Sequence, residues 1–197
     1  MPTRLAVCVS GRGSNLVALL DALTGSPEAQ VVLVLSNRAD APALLRARER
    51  GIDAEHLRNP ADGGEWLGYL RGAEVDLVVL AGYLRLVPPV VVAAYRGRII
   101  NIHPALLPAF GGPGMYGHRV HEAVLKSGAT ESGATVHLVD EVYDRGQILA
   151  QARVPVRPDD TPDSLAARVL EAEHRLLPAV VLRAAKAGRP VPVPEFA

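Results

Sequence analysis

The feature that most constrains the fold of this chain is a regular alternation of short apolar runs and helical segments in its first half. The apolar runs have the length of buried strands and cover residues 4–9, 31–35 and 75–80. Segments that suit helices follow them, at residues 14–24, 41–50, 63–72 and 88–95. This succession predicts an α/β, Rossmann-like three-layer domain with a mostly parallel sheet and right-handed crossovers.

The second half of the chain follows a different pattern. A helix is expected at residues 118–127, and two β runs at 134–139 and 148–156 are joined by a short turn. Such a turn predicts an antiparallel C-terminal extension of the sheet. The last long helix is expected at 163–186, with a kink or break at Pro178, because proline lacks the amide hydrogen that the helix interior needs.

Composition bounds the class of protein. The 197 residues suit one domain over residues 1–197, and the balance of 21 basic against 21 acidic residues argues against nucleic acid as a partner. No run approaches the roughly 20 apolar residues that a membrane helix needs, so a soluble protein without a membrane partner is expected. The single cysteine, Cys8, lies in the first apolar run, and we expect it to be a core residue. A lone cysteine and the lack of an apolar leader segment before this run together predict a cytoplasmic protein.

The segment 98–108 brings an amide and an imidazole together at the end of an apolar run. Asn101 and His103 are two positions apart, so they share one face of a strand, and Pro104 turns the chain out of the sheet. Both side chains could simply satisfy local backbone groups. Together with Asp144, in a later acidic turn, they have the chemistry to hold a carbonyl oxygen, donate a proton and orient the donor.

A glycine-rich turn follows the first strand. Gly11-Arg-Gly-Ser-Asn15 allows a tight backbone whose free amides can hold an anion such as phosphate, although a plain tight turn remains an alternative. A dinucleotide fold is not favoured, because Leu16 stands where the third glycine belongs. A triphosphate loop is excluded by the lack of a Gly-Lys-Ser/Thr sequence.

Six segments in order resemble the glycinamide ribonucleotide formyltransferases, the phosphoribosylglycinamide formyltransferase family of purine synthesis. They are Val9–Leu16, Ser36–Asp40, Leu80–Leu86, the Asn-Ile-His-Pro-x-Leu-Leu-Pro block at 101–108, Asp144–Gln147 and Arg168–His174. The resemblance implies transfer of the formyl group of 10-formyltetrahydrofolate, as co-substrate, to the amine of glycinamide ribonucleotide. Asn101, His103 and Asp144 would be catalytic, and no metal is implied. The expected partners are these two small molecules, and the expected assembly is a monomer or homodimer.

The resemblance also assigns binding residues. It implies that the backbone amides of Gly13, Ser14 and Asn15 clamp the phosphate and that Glu173 meets the ribose hydroxyls, whereas Glu173 by itself reads as a solvated helix charge. It implies that Asn101 and the loop formed by Leu84, Arg85, Leu86 and Val87 bind the folate; the alternative for this loop is an apolar cover with Arg85 in solvent. A cis peptide bond is implied at Leu107–Pro108.

The chain departs from the family in two places. Asp62–Trp66 stands where some members carry an arginine for the folate glutamyl tail, which leaves Arg58 or Arg71 as guesses for that contact. The loop at 109–117 is longer than in common members, so His118 and His121 are either substrate contacts or solvent-exposed histidines. His56, His137 and His174 have no expected role, and no histidine pair has a zinc-ligand spacing.

Three alternatives stay open. Methionyl-transfer-RNA formyltransferase and formyltetrahydrofolate deformylase resemble the same block, but the additional domain that each carries has no room in a chain of 197 residues. The third is a catalytically silent nucleotide-binding module on the same fold, since fold does not fix function.

Overall fold

The computed structural model describes residues 1–193 and contains seven strands and six helices within that range. The strands are β1 (Thr3–Val9), β2 (Ala29–Ser36), β3 (Asp53–His56), β4 (Leu77–Leu80), β5 (Ile99–His103), β6 (Glu131–Leu138) and β7 (Ile148–Pro155). The helices are α1 (Ser14–Leu23), α2 (Pro42–Glu49), α3 (Gly63–Gly72), α4 (Pro89–Ala94), α5 (His118–Ser127) and α6 (Pro162–Ala187).

The strands form one sheet in the order β3-β2-β1-β4-β5-β6-β7. The pairs from β3 through β5 are parallel, and β5–β6 and β6–β7 are antiparallel. This arrangement confirms the predicted parallel sheet with an antiparallel C-terminal extension. Helices pack on both of its faces, so the three-layer prediction is also confirmed.

Alternation along the strands builds two cores. In β1, Leu5, Val7 and Val9 face one core, which also receives α1, α2 and α6, whereas Ala6 and Cys8 face a second core with α3 and α4. All five side chains are fully buried. A strand buried on both faces needs a continuous apolar run, which explains why the sequence showed β1 so clearly.

The route of the chain opens a crevice at the carboxyl ends of two central strands, β1 and β4. The helix that follows β1 packs on one face, whereas the helix that follows β4 packs on the other. Because β1 and β4 are parallel neighbours, their carboxyl ends lie side by side while the chain leaves them in opposite directions. Ligands of open α/β sheets bind at such a point.

Two predictions about the elements were wrong. Strand β3 was missed, because its sequence Asp53-Ala-Glu-His56 lacks an apolar run; it forms at the sheet edge by pairing with β2. The break expected at Pro178 does not occur, and α6 continues through this buried proline. The domain predicted over residues 1–197 extends to residues 194–197, which lie outside the described residues. Within residues 1–193, no helix is both long and apolar enough to cross a membrane.

Gly133 offers a test of packing in the antiparallel extension. A Cβ at this position of β6 would collide with the backbone carbonyl of Ala152 and with Leu106. We expect Gly133→Ala to lower the free energy of unfolding by about 1–3 kcal/mol, the usual cost of overpacking, measured by urea denaturation. The matched control is Gly68→Ala in α3, where nothing lies near the added methyl and helix propensity predicts a gain of about 0.5–1 kcal/mol. A Gly133→Ala variant as stable as the parent would contradict this packing.

Candidate active site

A cleft of about 620 Å³ lies at the carboxyl ends of β1 and β4 and extends over the face of β5 and β6 that carries Asn101 and His137. The residues that the sequence analysis assigned to catalysis and to binding of the ribonucleotide and the folate ring all line it: Gly13, Ser14, Asn15, Leu84, Arg85, Leu86, Val87, Asn101, His103, Asp144 and Glu173. The fold therefore brings together segments from five parts of the chain.

Strand β5 presents the amide and the imidazole on one face. Ile100 and Ile102 belong to the core beneath α1 and α6, so Asn101 and His103 point to the opposite face, as the alternation predicted. Asn101 is partly exposed, whereas His103 is buried.

The turn after β5 is fixed by a buried threonine on β6. The Thr135 hydroxyl donates to the carbonyl of Ala105 (2.6 Å) and accepts from the amide of Leu107 (3.0 Å). The amide group of Gln151 donates to the same hydroxyl and to the Leu107 carbonyl, both at 2.9 Å. The Leu107–Pro108 bond is cis, as the resemblance implied.

Both ring nitrogens of His103 face acceptors. Nε2 lies 2.8 Å from the carbonyl oxygen of Phe110 and must donate to it, and Nδ1 lies 3.7 Å from Oδ2 of Asp144. Burial lowers the pKa of His103 below its ordinary value, although the charge of Asp144 and the Phe110 carbonyl oppose that shift. The Asp144 carboxylate favours the imidazolium form of His103, but burial outweighs that effect.

The carboxylate of Asp144 lies close to one backbone amide and two histidine rings. It has a left-handed backbone (φ 55°), and Oδ2 accepts from the amide of Gly112 at 2.8 Å. Oδ1 lies 3.5 Å from Nε2 of His137. Burial by itself raises the pKa of Asp144, but His137, the charge of His103 and the Gly112 amide together lower it below the usual value. Asp144 is therefore an anion at neutral pH.

His137 is the residue of this site that sequence reasoning missed. It is buried on β6, directly opposite Asn101 in the antiparallel register, and its Nε2 lies 3.0 Å from Asn101 Nδ2. The available sequence signal was that His137, like Thr135, alternates with the apolar residues Ala134, Val136 and Leu138 of this strand.

The glycine turn forms a left-handed entry into α1. Gly13 has φ 75°, and an added Cβ would collide with Ala43 of α2, so glycine is required there for both reasons. The side-chain amide of Asn15 donates through Nδ2 to Oε2 of Glu173 at 2.6 Å. Glu173 is buried rather than solvated, and burial raises its pKa to about 7 although the Asn15 bond lowers it.

The loop after β4 leaves apolar side chains in the cleft. Leu84 and Leu86 are about half exposed, and Val87 is buried. The backbone amide of Leu84 donates to the Ser10 hydroxyl at 2.9 Å, which ties this loop to the turn after β1. That amide is therefore engaged within the protein.

The long loop 109–117 contributes backbone groups rather than side chains to the catalytic cluster. Its Phe110 carbonyl meets His103 and its Gly112 amide meets Asp144, which the sequence did not indicate. His118 is exposed and lies 3.0 Å from Asp163, whereas His121 is buried. Both line the cleft, and burial lowers the pKa of His121 to about 4.

Some suggested residues are not brought to the site. Neither Arg58 nor Arg71 lines the cleft, whereas Arg12 and Arg85 do. Across residues 1–193, no group of three or more His, Cys, Asp or Glu side chains is arranged to hold a metal ion.

Sequence comparison connects this geometry with known proteins. The Formyl transferase family pattern (Formyl_trans_N) matches residues 3–181. The chloroplastic phosphoribosylglycinamide formyltransferase of Arabidopsis thaliana is 50% identical over 186 residues, which are 90% of this chain and 64% of that protein. The chain thus spans less than two thirds of that relative. The phosphoribosylglycinamide formyltransferase of Escherichia coli (strain K12) is 40% identical over 184 residues, covering 90% of this chain and 84% of the relative.

Solved structures give the same result. The crystal structure of phosphoribosylglycinamide formyltransferase from Anaplasma phagocytophilum superposes with a TM-score of 0.88 at 40% identity, over 95% of this chain and 89% of that one. The Brucella melitensis protein of the same name gives a TM-score of 0.86 at 41% identity, over 94% and 96%. With the family pattern extending from β1 into α6, the chain belongs to the formyl transferase family.

Proposed function

We propose that this chain, as one domain over residues 1–197, transfers the formyl group of 10-formyltetrahydrofolate to the amine of glycinamide ribonucleotide. The observation that carries the proposal is the convergence of Asn101, His103 and Asp144 in a cleft that also contains the glycine turn and a buried Glu173. The relatives from Arabidopsis thaliana and Escherichia coli carry the name phosphoribosylglycinamide formyltransferase, which supports the same activity for this chain.

The ribonucleotide would occupy the part of the cleft nearest α1. The backbone amides of Gly13, Ser14 and Asn15 stand at the start of this helix, where free N–H groups and the helix dipole favour a phosphate. Glu173 lies near these backbone amides, because its Oε2 accepts a hydrogen bond from the side chain of Asn15. A buried carboxyl group suits the two hydroxyls of a ribose.

The folate would occupy the part of the cleft between the 84–87 loop and the turn after β6. A flat ring can pack against Leu84, Leu86 and Val87, whose apolar surface faces the cleft. Because Ser10 already uses the Leu84 amide, hydrogen bonds to the ring would come from the backbone of Arg85, Leu86 and Val87.

In the proposed reaction, the substrate amine attacks the formyl carbon and negative charge develops on the formyl oxygen. Asn101 Nδ2 donates an uncharged hydrogen bond to this oxygen, and His103 donates a second. In the structure, His103 Nε2 donates to the Phe110 carbonyl, so the developing oxyanion would replace that carbonyl as the acceptor. The stronger charge of an oxyanion favours this exchange.

The proton of the attacking amine must reach the folate nitrogen that leaves. Asp144 is an anion beside His103, so it favours the protonated form of the ring as charge builds on the substrate. A water held between Asp144 and the amine would carry the proton. The chemistry requires no covalent enzyme intermediate.

One assay separates this function from its alternatives. The protein is incubated with 10-formyltetrahydrofolate, and folate turnover is measured with glycinamide ribonucleotide, with methionyl-transfer RNA and with neither acceptor. Turnover only with glycinamide ribonucleotide supports the proposal. Turnover without acceptor would indicate a deformylase, turnover with the transfer RNA would indicate its formyltransferase, and no turnover would indicate a silent nucleotide-binding module.

Removing either oxyanion donor should slow the chemical step. We expect Asn101→Ala and His103→Ala each to lower kcat by on the order of a hundredfold or more, as loss of one such donor typically does, while leaving ribonucleotide binding largely intact. Steady-state kinetics and calorimetric titration with glycinamide ribonucleotide measure the two effects. Near-normal kcat at saturating substrates would refute the role of the residue concerned.

Replacing Asp144 by Asn isolates its charge. The amide can still accept from Gly112, but it no longer raises the pKa of His103, so that pKa falls further. We expect lower kcat and an alkaline limb of the pH–rate profile shifted to lower pH, measured from about pH 5.5 to 9, the range that brackets an unperturbed histidine. Deprotonation of the substrate amine sets the acid limb in both proteins. Asp140→Asn in the same turn is the control, and profiles of the Asp144 variant identical to the parent would refute the role.

Glu173 should make stability depend on pH. Its pKa of about 7 lies above the ordinary carboxyl value of 4.5, so its contribution is present in full below pH 4.5 and is lost as pH rises through 7. Relative to Glu173→Gln, the parent should therefore lose about 3 kcal/mol of unfolding free energy between these limits, an order-of-magnitude figure from about 1.4 kcal/mol per pKa unit. Urea denaturation at several pH values measures it. A difference between parent and variant that does not change with pH would show that Glu173 is not buried as a carboxyl group.

A further inference from the structure

We propose that His137 is a positioning residue that orients the Asn101 amide, through a ring protonated on Nδ1 and unprotonated on Nε2. The inference rests on the proposed function, because it concerns how Asn101 presents a donor to the formyl oxygen. An asparagine amide has two nearly isosteric orientations, and only the one with Nδ2 towards the oxyanion can stabilise it.

The register of the sheet places the two side chains against each other. Asn101 of β5 is paired directly with His137 of β6, so both side chains lie on the same face at the separation of a cross-strand pair. His137 is 2% exposed, so water cannot substitute freely for its ring as a partner of the amide.

The backbone fixes the first proton of the ring. His137 Nδ1 lies 2.8 Å from the carbonyl oxygen of Leu138. A carbonyl oxygen only accepts hydrogen bonds, so Nδ1 must carry the hydrogen. In the neutral ring, Nε2 is then a lone pair and can only accept.

That lone pair selects the orientation of the amide. Asn101 Nδ2 lies 3.0 Å from Nε2 and donates one of its two hydrogens to it, which leaves the other for the formyl oxygen. The reversed amide would place Oδ1 against the lone pair, with two acceptors in contact. His137 therefore supplies, before the substrate binds, the orientation that the reaction needs.

The rival arrangement involves Asp144. Its Oδ1 lies 3.5 Å from His137 Nε2, so a doubly protonated ring could donate to the carboxylate, and Asn101 would then turn Oδ1 towards the ring. The distances favour the neutral ring, because the Asn101 contact is the shorter. Asp144 also has the Gly112 amide at 2.8 Å and the His103 ring as partners. Two ionisable groups face the His137 ring, Asp144 and His103.

The kinetic test uses two substitutions that separate the ring nitrogens. His137→Gln can place a carbonyl oxygen near the Nε2 position and accept from Asn101. His137→Asn reaches only the Nδ1 position, so it can keep the Leu138 contact but loses the acceptor for Asn101. We expect His137→Asn to lower kcat by on the order of a hundredfold, as loss of an oxyanion donor does, with KM for both substrates unchanged, and His137→Gln to retain most of kcat.

Each variant is also made in an Asn101→Ala background. If His137 acts through Asn101, His137→Asn causes no further loss of kcat there. Equal factors in both backgrounds would overturn the proposal, as would a His137→Gln variant as slow as His137→Asn. If Asn101→Ala itself retained normal kcat, the oxyanion assignment in the proposed function would fail, which is a different outcome.

A direct measurement on the unaltered protein does not depend on any variant folding. Nitrogen-15 NMR of the histidine rings near neutral pH distinguishes the Nδ1–H tautomer from the Nε2–H tautomer and from the imidazolium. We expect His137 in the Nδ1–H form, with its Nε2 coupled to an Asn101 amide hydrogen. Finding either of the other two forms would overturn the proposal whether or not the protein transfers formyl groups.

Discussion

The burial of β1 and β4 on both faces is the constraint on which the rest of the structure depends. Helices cover both sides of these strands, so polar side chains are excluded from their interiors and gather just beyond their ends. Ser10, the first polar residue after β1, shows the consequence: it lies at the carboxyl end and binds the loop after β4 through the Leu84 amide. The apolar centre of the sheet thus determines where polar chemistry can occur, before any particular catalytic residue is considered.

The electrostatics of the site follow from a compromise between burial and charge. Burial lowers the pKa of His103 and by itself raises that of Asp144, so each group alone would favour its neutral form. Side by side, each charge favours the charged form of the other, and the Gly112 amide stabilises the carboxylate further. The result is an anion beside a histidine whose pKa stays below its ordinary value. Such a pair can support a proton transiently, as charge develops on a substrate, without holding a permanent imidazolium.

Local sequence signals predicted most of the helices and strands and singled out Asn101, His103 and Asp144. They did not predict the contacts that depend on strand register or on distant segments. Asn101 and His103 were recognisable because alternation places neighbours i and i+2 on one face. The role proposed for His137 depends on its alignment with Asn101, and a slip of one residue would turn its side chain to the other face, so no single segment reveals it. Glu173 looked solvated because its partner, Asn15, lies 158 residues away in sequence. Strand β3 forms through pairing at the sheet edge, which its charged sequence does not announce.

The change from parallel to antiparallel pairing at β5 leaves one face of the C-terminal strands free to form a wall of the site. Helices α3 and α4 cover one face of β1 and β4, but the connection from β6 to β7 is a turn rather than a helix, so the same face of β5 and β6 stays open for a cleft. That turn places the Asp144 carboxylate 3.7 Å from His103 Nδ1 and 3.5 Å from His137 Nε2, and residue 144 has a left-handed backbone there. Aspartate tolerates this conformation better than most residues, and it also supplies the charge. One residue therefore satisfies both the geometry of the turn and the electrostatics of the cleft, at the point where the chain makes an acidic turn instead of a crossover helix.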